Sequence, residues 1–215
     1  MAVPLVAVVA ISMLKDGYED FMRHQDDKKE NNTEAIVVDK SSGQERTVKW
    51  HEVRVGDFVK VKEDTFFPAD MVIVSTSTED GLFFVETKSL DGETNLKTRN
   101  IQDDLGRLKI GKGKGKEITA FKPSVEVEAP NANMHKFNGA ITFDLVSEET
   151  DQKKSLSLKN IALRGMSLRN TEWIVGLVVY SGADTKIQKN LQDSTYKISN
   201  LLHKTNKAII WIFVA

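Results

Sequence analysis

Two apolar runs without a single charge bracket this chain. Residues 1–14 read Met-Ala-Val-Pro-Leu-Val-Ala-Val-Val-Ala-Ile-Ser-Met-Leu, and residues 208–215 read Ala-Ile-Ile-Trp-Ile-Phe-Val-Ala. A bilayer-spanning helix needs about 20 predominantly apolar residues, so neither run spans as it stands. A secretory leader carries basic residues ahead of its apolar stretch. Here Lys15, Arg23, Lys28 and Lys29 come after it. At the other end Lys197, His203, Lys204 and Lys207 precede the second run. Lys and Arg accumulate on the cytosolic side of membrane segments. The pattern predicts a cytosolic segment hung between the ends of two membrane helices, excised from a longer protein. The same runs also fit two buried helix ends of a soluble protein, and periodicity alone does not separate these readings.

Between the runs the texture changes twice. Residues 15–32 are polar, contain one Gly and no Pro, and predict a helical stalk ending at Asn31-Asn32. From residue 34 short β-branched runs follow one another closely, bounded by turn residues. Strands are predicted at 35–38, 47–50, 58–61, 71–75, 82–85, 118–121, 125–127, 137–146 and 172–180, with a hairpin turn at Ser41-Ser42-Gly43 and a polar hairpin loop at 147–154. Closely spaced strands without intervening helices predict a mainly β domain, a sandwich or roll. Residues 100–117, with Gly-Lys-Gly-Lys-Gly-Lys at 111–116, interrupt it as an exposed insertion. That repeat lacks the G-x-x-x-x-G-K-[ST] order of a phosphate-binding loop. From Asp184 the pattern turns helical again. The predicted units are therefore 1–32, 33–183 and 184–215.

Composition narrows the chemistry. A net charge of −1 gives no footprint for nucleic acid. The chain has no cysteine, which excludes disulfides, thiolate-held zinc and thiol catalysis. His24, His51, His135 and His203 are scattered without metal-binding spacing, so no metal site is predicted.

The strongest local signal is Leu90-Asp91-Gly92-Glu93-Thr94-Asn95-Leu96-Lys97. Asp-Gly favours a tight turn, because Gly reaches positive φ without a steric penalty. Such a turn lifts the Glu93 carboxylate onto the surface of a β scaffold. Thr94 and Asn95 add neutral hydrogen-bonding groups, and Lys97 and Arg99 add positive charge. A carboxylate placed there can hold a water and take its proton. An ordinary solvated loop is the other reading of these letters.

Asp91-Gly92-Glu93-Thr94 resembles the actuator-domain loop of type-IV P-type ATPases, the phospholipid flippases. Ion-pumping relatives generally carry Thr-Gly-Glu there, so Asp91 points to the lipid branch. Further segments resemble the same family in the same order. They are Lys15-Asp16-Gly17-Tyr18-Glu19-Asp20, Gly56-Asp57, Pro68-Ala69-Asp70, Glu128-Ala129-Pro130-Asn131 with Phe137 and Gly139, Leu163 to Thr171, and Ser181 to Lys186. The likeness covers nearly the whole chain. One departure is Asn200-Leu201-Leu202, where the family pattern leads one to expect a more charged run.

The resemblance implies a distorted jelly-roll actuator domain flanked by the ends of the second and third transmembrane helices. It implies that an aspartate on a separate domain is phosphorylated from ATP, and that lipid binding triggers hydrolysis of the acyl phosphate. The glutamate that positions and activates the attacking water would be Glu93, with Asp91, Gly92 and Thr94 shaping the loop. Pro68-Ala69-Asp70 would be a fold-holding turn, and Arg164, Arg169 and Asn170 would serve packing and hydrogen bonding. No cofactor is expected on this segment. ATP and Mg2+ would act on the phosphorylation and nucleotide-binding domains, whose Asp-Lys-Thr-Gly-Thr and Gly-Asp-Gly-x-Asn-Asp motifs do not occur in this sequence. Implied partners are those domains, a phospholipid substrate in the membrane, and an accessory β-subunit. The implied location is the cytosolic side of an integral membrane protein. Two rival readings are the actuator of a cation pump and a non-catalytic, membrane-tethered β binding module.

Overall fold

A computed structural model describes residues 2–40, 42–102, 123–143 and 152–192, together with Lys204 and Lys207. Helix α1 (Ala2–Asn31) runs for 30 residues, about 45 Å at the α-helical rise of roughly 1.5 Å per residue. Its end falls at the predicted Asn31-Asn32, where the Asn32 amide and side chain both donate to the Lys28 carbonyl. Ile11, Met13, Leu14, Tyr18 and Phe21 on this helix are exposed. Among the described residues, no helix is long and apolar enough to cross a membrane.

The remainder is β-rich, as predicted, with every described strand pair antiparallel. The largest sheet is built from β1 (Glu34–Val38), β2 (Glu45–Lys49), β3 (Phe58–Lys62), β4 (Asp70–Thr76), β10 (Ile161–Ala162) and β12 (Trp173–Tyr180). Their spatial order is β10-β4-β12-β3-β1-β2. The interior strand β4 reads Asp-Met-Val-Ile-Val-Ser-Thr and is buried at every position. Its apolar run, Met71 to Val74, suits a strand covered on both faces. The edge strand β2 reads Glu-Arg-Thr-Val-Lys and buries only Val48, and charge on an edge discourages further pairing. Gly176 in β12 has a packing reason: a Cβ there would lie 2.6 Å from Met71 Sδ.

A second sheet, ordered β11-β5-β6, joins β5 (Leu82–Glu86), β6 (Lys97–Asn100) and β11 (Ser167–Arg169). Strand β5 alternates: Phe83 and Val85 are fully buried, whereas Leu82, Phe84 and Glu86 are half-buried. A third sheet joins β7 (Ser124–Val127), β8 (Gly139–Phe143) and β9 (Gln152–Leu156) in that order. One apolar core, centred on Phe58, Phe67, Met71, Ile73, Phe83, Ile141, Ile161 and Leu163, is shared by the three.

Several expectations need correction. Strands β6, β9, β10 and β11 were not anticipated, because they are short or polar and owe their extension to pairing rather than to a β-branched run. Residues 152–154, expected in a hairpin loop, pair with β8 instead. The exposed insertion expected over 100–117 does not begin at 100, because Asn100 pairs with Leu82 as the end of β6 and Ile101 is buried. The predicted strand at 118–121, the Gly-Lys repeat and residues 144–151 lie outside the described residues, as does the apolar run 208–215. The predicted return to helix is seen in α3 (Lys186–Gln192).

Pro68-Ala69-Asp70 holds the fold together, as expected. Asp70 is fully buried at the start of β4. Its two carboxylate oxygens accept the backbone N–H of Arg164 at 2.8 Å and of Lys186 at 2.7 Å. One side chain thereby fastens two chain segments that are remote in sequence. Burial pushes its pKa up to about 6, against the opposing pull of those two N–H groups. Beside it, the fully buried Lys186 pairs with Glu128 at 3.0 Å and donates to Asn131 Oδ1 at 2.8 Å. Two segments singled out in the sequence, Glu128 to Asn131 and Ser181 to Lys186, therefore meet at one buried ammonium.

Arg164 and Arg169 also behave as structural residues. Arg169 pairs with Glu86 at 2.8 Å and with Asp64, and Asn170 adopts φ 48°. Arg164 reaches further: its guanidinium pairs with Glu30 of α1 at 2.8 Å and lies 6.0 Å from the Trp50 ring centre. His51 Nδ1 lies 2.9 Å from the Asn31 carbonyl, and the Trp50 amide donates to the Thr33 carbonyl at 2.9 Å. These contacts fasten the end of the stalk to the β domain.

Candidate functional site

The Asp-Gly-Glu-Thr segment forms the connection between β5 and β6, which pair antiparallel from Leu82↔Asn100 to Val85↔Lys97. The expected simple turn proves to be a one-turn helix, α2 (Lys88–Asp91), closed by Gly92 in the left-handed region at φ 76°. The Leu90 and Asp91 amides donate to the Thr87 carbonyl at 2.8 and 3.1 Å, and the Gly92 amide donates to the Lys88 carbonyl at 3.0 Å. Leu90 packs on the core, and the Ser89 hydroxyl donates to the Gly165 carbonyl. The base of the loop is therefore fixed, and the chain leaves Gly92 pointing outward.

Gly92 is required for its backbone rather than for space. A Cβ there would meet nothing within 4 Å, but the left-handed conformation penalises any other residue. Gly92→Ala is expected to destabilise the loop by about 1–2 kcal/mol. The check is faster hydrogen exchange at the Glu93 amide, with Gly92→Asn intermediate because Asn tolerates this region better.

Asp91 is the hub of the site. Its Oδ1 accepts the Glu93 amide at 2.9 Å, and its Oδ2 accepts the Thr87 hydroxyl at 3.0 Å and the Lys97 ammonium at 2.6 Å. Lys97 Nζ also lies 2.9 Å from Glu93 Oε2. The hydrogen bond from Lys97, aided by those from the Glu93 amide and Thr87, holds the Asp91 carboxyl at about 2 against the opposing effect of burial. Hydrogen bonds to Asp91 and Glu93 in turn raise the Lys97 ammonium above the usual lysine range. Asp91 thus remains ionised across the physiological range, and its charge is committed to holding the loop. Glu93, with a side chain 57% exposed, carries the outward-facing carboxylate.

The other predicted residues divide. Thr94 and Asn95 are exposed beyond Glu93 and make no side-chain hydrogen bond to the described residues. Arg99 does not contribute charge to the loop. It is buried, donates to the Leu158 carbonyl, and has its pKa lowered by desolvation. Sequence reasoning missed Thr87 and the double engagement of Lys97. The i,i+4 spacing of Thr87 and Asp91 held the signal for the first; Lys97 reaches both carboxylates from the start of β6, outside any helix. No cluster of potential metal ligands occurs among the described residues.

A concavity of about 630 Å³ lies beside the stalk end and is lined by Glu30, Trp50, Val61, Phe66, Pro68 and Ile187 among others. Ser89 and Gly165, which fix the base of the loop, also line it.

What this loop belongs to is settled by comparison with known proteins. The chain is 38% identical over 207 residues to phospholipid-transporting ATPase 1 of Arabidopsis thaliana, covering 96% of this chain. It is 37% identical over 210 residues to phospholipid-transporting ATPase 10 of the same plant, covering 98%. It is 35% identical over 214 residues to phospholipid-transporting ATPase ID of Homo sapiens, again covering 98%. The chain spans only 16–17% of the length of these relatives. The family model of the P-type ATPase actuator domain matches residues 29–144, from the stalk end through β8 and across the Asp91–Glu93 loop. With its antiparallel β architecture, this chain belongs to the P-type ATPases, as their actuator domain.

Proposed function

We propose that this chain is the actuator segment of an ATP-driven phospholipid translocator, and that Glu93 acts in hydrolysis of its aspartyl-phosphate intermediate. The observation that carries the proposal is the exposed Glu93 carboxylate, whose backbone amide is held by Asp91 at 2.9 Å. A rigid base with an outward carboxylate suits a group that acts on a site in another domain. In the proposed step, water attacks phosphorus in line with the acyl oxygen, Glu93 takes a water proton, and the phosphorus–oxygen bond to the aspartate breaks. The products are inorganic phosphate and a free aspartate carboxylate. Positioning of the water contributes as much as basicity. Asp91, Gly92 and Thr94 are assigned to shaping and supporting the loop. ATP and Mg2+ belong to the phosphorylation and nucleotide-binding domains outside this chain.

In this reading residues 1–32 are the end of the second transmembrane helix with its stalk, 33–183 the actuator domain, and 184–215 the linker and start of the third transmembrane helix. The exposed apolar side chains of α1 support a membrane setting for that helix, with the β domain on the cytosolic side. An accessory β-subunit would complete the assembly. Phospholipid rather than a cation is favoured as substrate because the relatives named above are phospholipid-transporting.

The test is decay of the phosphoenzyme in the intact parent protein, presented with a panel of phospholipid headgroups and, separately, with Na+, K+ and Ca2+. Acceleration by one or more phospholipids is expected. Acceleration by a cation alone would move the protein to the ion pumps, and failure to form any phosphoenzyme would leave a binding module.

A further inference from the structure

Asp91 fixes the backbone of Glu93 but does not touch its carboxylate. The contact that does comes from Lys97, whose ammonium stands 2.6 Å from Asp91 Oδ2 and 2.9 Å from Glu93 Oε2. Among the described residues it is the only cation within ion-pairing distance of either carboxylate. Its own position is set by the sheet, since Lys97 opens β6 opposite Val85 of β5, and Val85 is fully buried. Arg99, the next cation along the strand, is turned into the protein and cannot substitute. Two carboxylates two residues apart repel each other, and an exposed glutamate samples several rotamers. A lysine tied to both removes the repulsion and selects one direction for the Glu93 side chain.

We infer that Lys97 is a positioning residue for dephosphorylation: anchored on Asp91, it aims the Glu93 carboxylate. The inference rests on the proposed role of Glu93. It assigns the four residues a division of labour: Gly92 turns the chain outward, Asp91 pins the backbone, Lys97 orients the side chain, and Glu93 meets the water. The bridge is charge-assisted and needs a cation of sufficient reach, so arginine can replace lysine while an uncharged chain of similar length cannot.

The experiment uses the intact parent protein and follows phosphoenzyme formation from ATP and its decay separately. Lys97→Met is expected to leave the level of phosphoenzyme formed unchanged and to slow its decay by about 10- to 100-fold, the scale of misplacing a catalytic group. Lys97→Arg is expected to restore most of the rate. The deciding measurement is a double-mutant cycle. In a Glu93→Gln background, Lys97→Met is expected to add nothing further, because Lys97 acts through Glu93. Full additivity of the two losses would overturn the inference, as would a Lys97→Met enzyme decaying like the wild type while Glu93→Gln is trapped. Wild-type decay in Glu93→Gln is a different failure: it removes the role of Glu93 itself, and this inference with it.

Discussion

Glu93→Gln in the intact parent protein is expected to accept phosphate from ATP and then to hold it. Gln keeps the size of Glu and its capacity to bind a water, but it cannot take the proton. Loss of a positioned general base typically slows a reaction by about 10²–10⁴-fold, so on the proposed function phosphoenzyme should accumulate under turnover and phospholipid should no longer discharge it. The Asp91 scaffold should survive, since Asp91 accepts the backbone amide of residue 93 and retains Thr87 and Lys97. The measurement is retention of labelled phosphate after a chase with unlabelled ATP. Rapid discharge in this variant would remove Glu93 from the mechanism.

Asp70→Ala should have the largest effect on the fold. The variant strands two backbone N–H groups, of Arg164 and Lys186, at a position with no solvent access. Hydrogen bonds to a charged group contribute about 1.5–3 kcal/mol each, so a loss of roughly 3–6 kcal/mol is expected. That is a large share of the ~5–15 kcal/mol that stabilises a typical domain. Hydrogen exchange at those two amides, corrected for intrinsic rates, should accelerate by about 10²–10³-fold if their protection reports this opening.

The same residue predicts a pH dependence. Its pKa rises from 3.8 to about 6 on folding, so the folded chain holds the proton more tightly than the unfolded one. The associated stability is fully present below the unfolded value and is lost as pH rises through about 6. A shift near two units corresponds to about 3 kcal/mol. Asp91, depressed to about 2, acts in the opposite sense and in a lower window, below 3.8. Global stability, read from chemical denaturation, should therefore fall between about pH 4 and 7 in the native protein. That trend should be missing from Asp70→Asn.

The β character of the domain was legible because its largest sheet uses long apolar runs. Val72 to Val74 and Ile174 to Val179 cannot be placed anywhere but inside. The end of the stalk was legible because composition changes abruptly at Asn31-Asn32. Strand β9, Gln-Lys-Lys-Ser-Leu, was not, since nothing local favours extension and its ladder to β8 supplies the reason. The candidate loop was found by its letters, and its architecture only in part. Asp91-Gly92 announces a reversal, but a single helical turn capped by Gly92 serves as well as a β-turn, and the choice depends on Leu90 reaching the core. Arg99 was misread because the turn that buries it lies some sixty residues downstream, at Leu158 to Asn160. The burial of Lys186, within a segment the sequence did single out, was not legible for the same kind of reason: its partners Glu128 and Asn131 are distant in sequence.

Arg164 and Gly165 are neighbours in the chain but grip opposite things. The side chain of the first holds Glu30 at the end of α1, and the carbonyl of the second receives Ser89 from α2. The Arg164 amide is meanwhile bolted to Asp70 in the core. In the proposed function, a movement that brings the Glu93 loop to its target would be passed through these contacts to the base of the helix, and a helix of 30 residues would magnify a small turn at its foot into a wider sweep at its far end. On the proposed function the domain would in this sense be a crank, with its handle at Glu93 and its shaft at α1.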